Sequence, residues 1–266
     1  MSTETLSTDT KSHANPRSGS LARTGLLIRY NVLLRLRDPG QMISYLVLPM
    51  VIMVVFKPLY VKAFDGGTLH AVIGPLVMFS MFALGIVGNS ILVEREWRTW
   101  DRLRTTKAGR GELLFGKLVP PFAILIVQQT ILLTFGTLVV GMPVPPSLPL
   151  LAIAVAVWGL TLLAIGAALA TVARSRGDLN MVSDLGAMVI SSLGGALVPV
   201  TLMPGWVAAI APFSPGYWAM DLMRAAVDDD FAGMVRPALV CLTIAVVAGV
   251  FAGYRLARGW GRSHLI

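Results

Sequence analysis

The chain has 266 residues, of which 55% are hydrophobic and only 14% charged, with a mean hydropathy of +0.73. A water-soluble domain covers its surface with about 25% charged residues, so this composition excludes an ordinary soluble enzyme and points to a membrane protein. The single cysteine, Cys241, excludes a disulfide framework or a cysteine-based zinc site, and the net charge of +8 has to be read against where the charges fall.

Residues 1–20 are rich in Ser and Thr and are expected to be disordered. Residues 21–38 hold good helix formers, and Asp38-Pro39-Gly40 stops the helix. Arg23, Arg29, Arg35 and Arg37 do not share one face, so this segment is basic and apolar rather than strictly amphipathic. No stretch before the first apolar run has the form of a cleavable leader.

A bilayer core takes about 20 apolar residues per helix. The first expected span is 42–61, interrupted by Lys57 close enough to its end to snorkel. The second, 71–93, carries no charge. From Leu118 to Ala173 there is again no charged residue. Gly141, Pro143, Pro145, Pro146 and Pro149 divide that run into a third span at 118–140 and a fourth at 150–173. The fifth is 179–203, with Asp184 in its first turns.

Residues 204–235 are apolar but broken by Pro204, Pro212 and Pro215. Backbone cannot lie unsatisfied in lipid, so a re-entrant or interfacial helical hairpin is expected, with Trp206, Tyr217 and Trp218 at head-group depth. The sixth span is 237–254, and a basic tail, 257–266, follows.

Six spans put both termini on one side. That side then holds 18 Lys and Arg residues and the other holds four, Lys57, Lys62, Arg224 and Arg236. The positive-inside rule places both termini in the cytoplasm. The basic excess then orients the chain against anionic lipid and does not form a nucleic-acid site. High Ala, Gly, Val and Arg use fits a GC-rich bacterium, and hence its cytoplasmic membrane.

The loop between the second and third spans is the most informative segment. Glu94, Arg95 and Glu96 lead into Trp97, Trp100, Asp101, Arg102, Leu103 and Arg104, with no Pro or Gly before Gly109. At helical spacing Trp97 and Trp100 share a face with Leu103 or Arg104. This is either an anchoring helix with interfacial tryptophans or a docking helix for another protein, since an aromatic ridge framed by charge suits an interface hot spot.

Within the spans, Asn89, Gln128, Gln129, Ser191 and Ser192 either line a cavity or bond helix to helix. Asp184 is either a functional intramembrane charge or a hydrated group paired with Arg174 or Arg176. Gly249 and Gly253 form a GxxxG that permits close packing within the protomer or across a dimer. Asp221 and Arg224, one turn apart, are placed to pair, and Asp228-Asp229-Asp230 reads as a solvated turn. Gly111 to Lys117 matches seven positions of a P-loop, but Leu118 stands where magnesium needs Ser or Thr and no strand precedes it. His13, His70 and His264 all fall outside the expected spans and build no intramembrane metal site.

Three segments carry a resemblance. They are Glu94-Arg95-Glu96 through Trp100-Asp101-Arg102-Leu103-Arg104-Thr105-Thr106 with Gly116-Lys117, Arg35-Leu36-Arg37-Asp38-Pro39, and Met203-Pro204-Gly205-Trp206 with Pro212-Phe213-Ser214-Pro215, Tyr217 and Asp221-Leu222-Met223-Arg224. In this order, over roughly residues 25–255, the chain resembles the membrane subunit of ABC-2 type exporters, in its daunorubicin-resistance flavour. Lys107-Ala108 departs from the Pro that often follows the Thr pair in such permeases.

The resemblance implies an all-α membrane protein of six transmembrane helices. It adds an interfacial connecting helix at 21–40, a cytoplasmic coupling helix at 94–107 and the re-entrant hairpin before the sixth helix. It also implies a permease homodimer with two copies of a nucleotide-binding subunit, which hold ATP and Mg while this chain binds no cofactor. Arg174, Arg176 and Asp178 become a second cytoplasmic contact. Pro204, Trp206, Pro215, Tyr217, Asp221 and Arg224 become an outer gate.

The expected function is export of a hydrophobic or amphipathic drug or natural product. Export of polysaccharide or lipid-linked glycan is the alternative within the class. An ion-coupled secondary transporter would show more intramembrane ionisable residues and repeated halves. A membrane enzyme would show His-Glu-x-x-His or Gly-x-Ser-x-Gly, and neither is present.

Overall fold

The computed structural model describes residue 25 and residues 40–96 and 110–257. Those residues form α1 (Gly40–Ala63), α2 (Gly67–Phe82), α3 (Leu84–Glu96), α4 (Arg110–Phe135), α5 (Leu148–Val172), α6 (Arg176–Leu193), α7 (Gly205–Ile210), α8 (Pro215–Val227) and α9 (Phe231–Ala257). No strand occurs among the described residues. The disordered segment expected at 1–20, the connecting helix at 21–40 apart from Gly25 and Gly40, and the tail beyond Ala257 lie outside the described residues. The coupling segment from Trp97 to Lys107 does too, with Trp97, Trp100, Asp101, Arg102, Leu103 and Arg104. Of Glu94, Arg95 and Glu96 only the helical backbone is described.

Five stretches are long and apolar enough to cross a membrane: Ile43–Ala63, Gly67–Leu92, Leu118–Val140, Leu148–Val172 and Phe231–Leu256. The second is the axis of the bundle. Of its most apolar stretch 94% is buried, against 17% for the first, and α2 packs on α1, α4, α6 and α8. The span is not one straight helix. It breaks at Ala83, whose N–H turns back to the Ser80 carbonyl. There the Ser80 hydroxyl donates to the Val77 carbonyl at 2.8 Å and accepts the Trp158 indole N–H at 2.8 Å. A buried tryptophan of α5 thus meets α2 one turn before the break. Gly166 of α5 sets the approach on the other side, because a Cβ there would lie 2.8 Å from that of Val87.

Three boundaries differ from the sequence expectation. The second helix starts at Gly67 rather than 71. The fifth ends at Leu193 rather than 203, because Gly194 and Gly195 turn the chain, Gly195 at φ +93°. The last helix starts at Phe231 rather than 237. Asp230 caps it by accepting the Gly233 N–H at 2.8 Å, so Pro237 sits inside the helix and residues 231–235 belong to it rather than to the hairpin. Residues 110–117 are helical, which is not the strand–loop–helix of a P-loop.

α6 orients its side chains in a way that fits lipid. Its buried stripe is Leu179, Ser183, Ala187 and Ser191, while Met181, Val182, Leu185, Met188 and Val189 point outward. Small residues toward the neighbour and large apolar ones outward are the packing rule of membrane helices. The Gly249–Gly253 face is also open: a Cβ at either position meets nothing within 4 Å, so this GxxxG packs on nothing among the described residues.

Candidate functional site

The hydrogen bonds group the loops into two ends. At one end Tyr60, His70, Leu197 and Arg224 meet, and Lys57 approaches Gly141. At the other, Asn89 Nδ2 donates to Asn180 Oδ1 at 2.8 Å and Arg255 donates to the Thr171 carbonyl at 3.1 Å. The first is called the hairpin end below.

The site at the hairpin end starts from a turn. Gly66, at φ +79°, takes a left-handed conformation that side chains disfavour, and this reverses α1 into α2. His70 follows one turn into α2 and is 1% exposed. The rings of Tyr60 and Phe64 stand edge-on to its imidazole at 4.9 and 5.4 Å. The Tyr60 hydroxyl donates to the Leu197 carbonyl at 2.7 Å. From α8, Arg224 Nη2 reaches His70 Nδ1 at 2.8 Å. A guanidinium only donates, so Nδ1 accepts and Nε2 carries the imidazole proton. That Nε2 is buried beside the backbone of Ala196 and Leu197, and among the described residues it has no partner within hydrogen-bond geometry. Gly74, one turn further along, is where a Cβ would collide with the Ala196 carbonyl. The connector after α6 can therefore rest on α2 only because residue 74 has no side chain.

Next to this cluster, a cavity of about 590 Å³ opens between α8 and the start of α9. Its walls include Tyr217, Trp218, Asp221, Arg224, Asp228 and Arg236. Both walls are fixed by caps. Ser214 accepts the Gly216 N–H at 3.1 Å and donates to the Ile190 carbonyl at 2.6 Å, with Pro215 as the first residue of α8. Asp230 caps α9 as described. Trp218 donates its indole N–H to the Pro212 carbonyl at 2.8 Å, and the Arg236 guanidinium lies 5.3 Å from its ring. The Tyr217 hydroxyl and the Asp221 carboxylate interact across the cavity wall. Burial pushes the Asp221 carboxyl above its usual range, against the pull of Arg224. Asp221 and Arg224 feel each other's charge, but the hydrogen bond of Arg224 goes to His70.

Of the residues singled out in the sequence, Tyr217, Asp221 and Arg224 therefore converge on one cavity. Pro204 and Trp206 sit apart from it on the exposed α7, with Trp206 70% exposed. Asn89 pairs with Asn180 between α3 and α6. Gln128 donates to the Tyr45 carbonyl at 3.2 Å and so ties α4 to α1. Gln129, Ser191 and Ser192 bond carbonyls of their own helices. None of these five lines the 590 Å³ cavity. Asp184 is half-buried on α6, eight residues and about 12 Å along the axis from Arg176. Arg174, Arg176 and Asp178 are exposed at the opposite end, where the Ser175 hydroxyl caps α6 through the Asp178 N–H. Asp228, Asp229 and Asp230 form the exposed turn expected of them.

His70 is a correction. It lies inside α2 and is buried, not in the loop outside the spans. The pattern that marks it is Asp65-Gly66-Gly67, a turn signal that starts the helix before the fully apolar run does.

Residues 23–227, more than three quarters of the chain, match the ABC-2 type transporter family. The chain belongs to that family. It is 25% identical over 158 residues to the "Probable multidrug ABC transporter permease YbhS" of Escherichia coli K12, covering 58% of this chain and 42% of that one. It is 26% identical over 141 residues to "Probable multidrug ABC transporter permease YbhR" of the same strain, covering 53% of this chain and 38% of that one. The aligned part spans about two fifths of the length of these relatives. Family and apolar helices together make the chain a multi-pass membrane protein and the membrane component of a transporter.

Proposed function

We propose that the chain is the transmembrane subunit of a bacterial exporter that moves hydrophobic or amphipathic compounds outward. A separate ATP-binding subunit supplies the work, in two copies on a permease homodimer, and holds ATP and Mg. The observation that carries this reading is the family match over residues 23–227, which includes the charged, tryptophan-bearing segment 94–107 between the second and third spans. The two relatives' names speak of multidrug permeases, which favours drug-like cargo over glycan.

α6 serves as the fifth of the six spans in this reading, beside the five long apolar stretches. Its 18 residues reach about 27 Å, its outward face is apolar, and Arg176 and Asp178 stay in its first turn. The hairpin end then faces outward and both termini face the cytoplasm, as the 18-to-4 distribution of basic residues requires. The test is co-purification with the ATP-binding chain. Trp100→Ala or Asp101→Ala should lower the amount retained at least several-fold while the permease elutes as a folded particle. Full retention in both variants would remove residues 94–107 as the coupling helix.

A further inference from the structure

The cavity between α8 and α9 contains charge that the fold does not use. Arg236 stacks on Trp218 but makes no hydrogen bond or ion pair among the described residues, so the donors of its guanidinium are free. The Asp228 side chain is likewise unbonded and exposed on the opposite wall. Between them, Arg224 bonds His70, and Asp221 interacts with Arg224, Tyr217 and Arg236. Among the described residues, the cavity thus presents a planar cation, Arg236, and a carboxylate, Asp228, that feel Asp221 and Arg224 respectively but make no hydrogen bond, flanked by aromatic rings.

Charge complementarity selects among ligands. A simple anion on Arg236 would face Asp221, Asp228 and Asp230, and a simple cation on Asp228 would face Arg224 and Arg236. A ligand with both charges meets both walls without a like-charge penalty. Guanidinium matches phosphate in a two-pronged bond, and a carboxylate accepts from an ammonium. The depth is also suited to a lipid head group. Phe213, beside the cavity, is 87% exposed and Trp206 is 70% exposed, as aromatic side chains are at a membrane interface.

We infer that this cavity binds a zwitterionic phosphate–ammonium group, with phosphate on Arg236 and ammonium on Asp228. The inference rests on the proposed orientation, in which this end meets the outer leaflet. The group is available either as the head of a phospholipid or as a soluble phosphoethanolamine-type molecule.

The test uses the full chain in an uncharged maltoside detergent, with short-chain phosphatidylethanolamine and phosphatidylglycerol as probes and native mass spectrometry as the readout. Wild type should hold phosphatidylethanolamine in preference to phosphatidylglycerol. Arg236→Gln should weaken phosphatidylethanolamine binding about tenfold or more. Asp228→Asn, at an exposed turn where folding is not at risk, should erase the preference between the two lipids. Free phosphoethanolamine as competitor separates the sources: displacement assigns a soluble ligand, and failure to displace assigns the lipid. Unchanged binding in both variants, or equal retention of the two lipids by wild type, overturns the site. Loss of the site with ATP-driven transport intact removes only this inference. A retained site with no ATP-driven transport removes the exporter reading instead.

Discussion

Arg224 and His70, 154 residues apart, are joined by a 2.8 Å hydrogen bond that ties α8 to α2. Three further segments meet the same imidazole: the end of α1 through Tyr60, the turn through Phe64, and the connector at Ala196 and Leu197. His70 is the point where the hairpin end is held to the bundle.

Removing Arg224 leaves the His70 acceptor buried and unpaired, which costs about 1–3 kcal/mol. Arg224→Ala should therefore lower the thermal midpoint of the detergent-solubilised protein by several degrees. Adding His70→Ala to that variant should cost less than His70→Ala costs alone, because the pair is already broken. Additive losses would show that the bond carries no coupling.

Much of the bundle was legible in the sequence because charge-free runs of span length are costly to place anywhere but lipid. The division at Gly141 to Pro149 and the proline-broken hairpin also follow from backbone chemistry that one chain displays. What was not legible depended on partners distant in sequence. The break at Ala83 lies one turn past the Trp158–Ser80 bond, a contact 78 residues apart in sequence. His70 looked like a loop residue because the apolar run starts after it, although its burial is set by Tyr60, Phe64 and Arg224. The end of α6 at Leu193 was masked because residues 194–203 stay apolar while the glycines turn the chain. The sequence leaves two roles open for Asn89 and Gln128, because their partners, Asn180 and the Tyr45 carbonyl, lie on other helices.

The Trp158–Ser80 bond gives a second prediction. Trp158→Phe keeps an aromatic ring, though a smaller one, and removes the donor, and Ser80→Ala removes the acceptor. Each should destabilise by about 1 kcal/mol, and the double variant should cost less than their sum. Trp158→Ala should cost about 3–5 kcal/mol, since the side chain is fully buried. Chemical unfolding followed by near-ultraviolet dichroism measures all four. Equal stability of wild type and Trp158→Phe would show that the bond contributes nothing to stability.

Sidedness can be read with single cysteines. Cys241 is fully buried, so a Cys241→Ser background is free of it. Asp229→Cys should react in intact cells with a membrane-impermeant maleimide. Arg174→Cys should react only after the membrane is opened. The reverse pattern would invert the orientation and with it the direction assigned to the hairpin end.

The account stands on work supplied from outside this chain. The most direct measurement reconstitutes the permease in vesicles with its ATP-binding chain and follows a fluorescent amphipathic cation with ATP, without ATP, and with a proton gradient alone. The account predicts movement that requires both ATP and the second chain and is indifferent to the proton gradient. Movement by the permease alone, driven by protons and lost in Asp184→Asn, would contradict it.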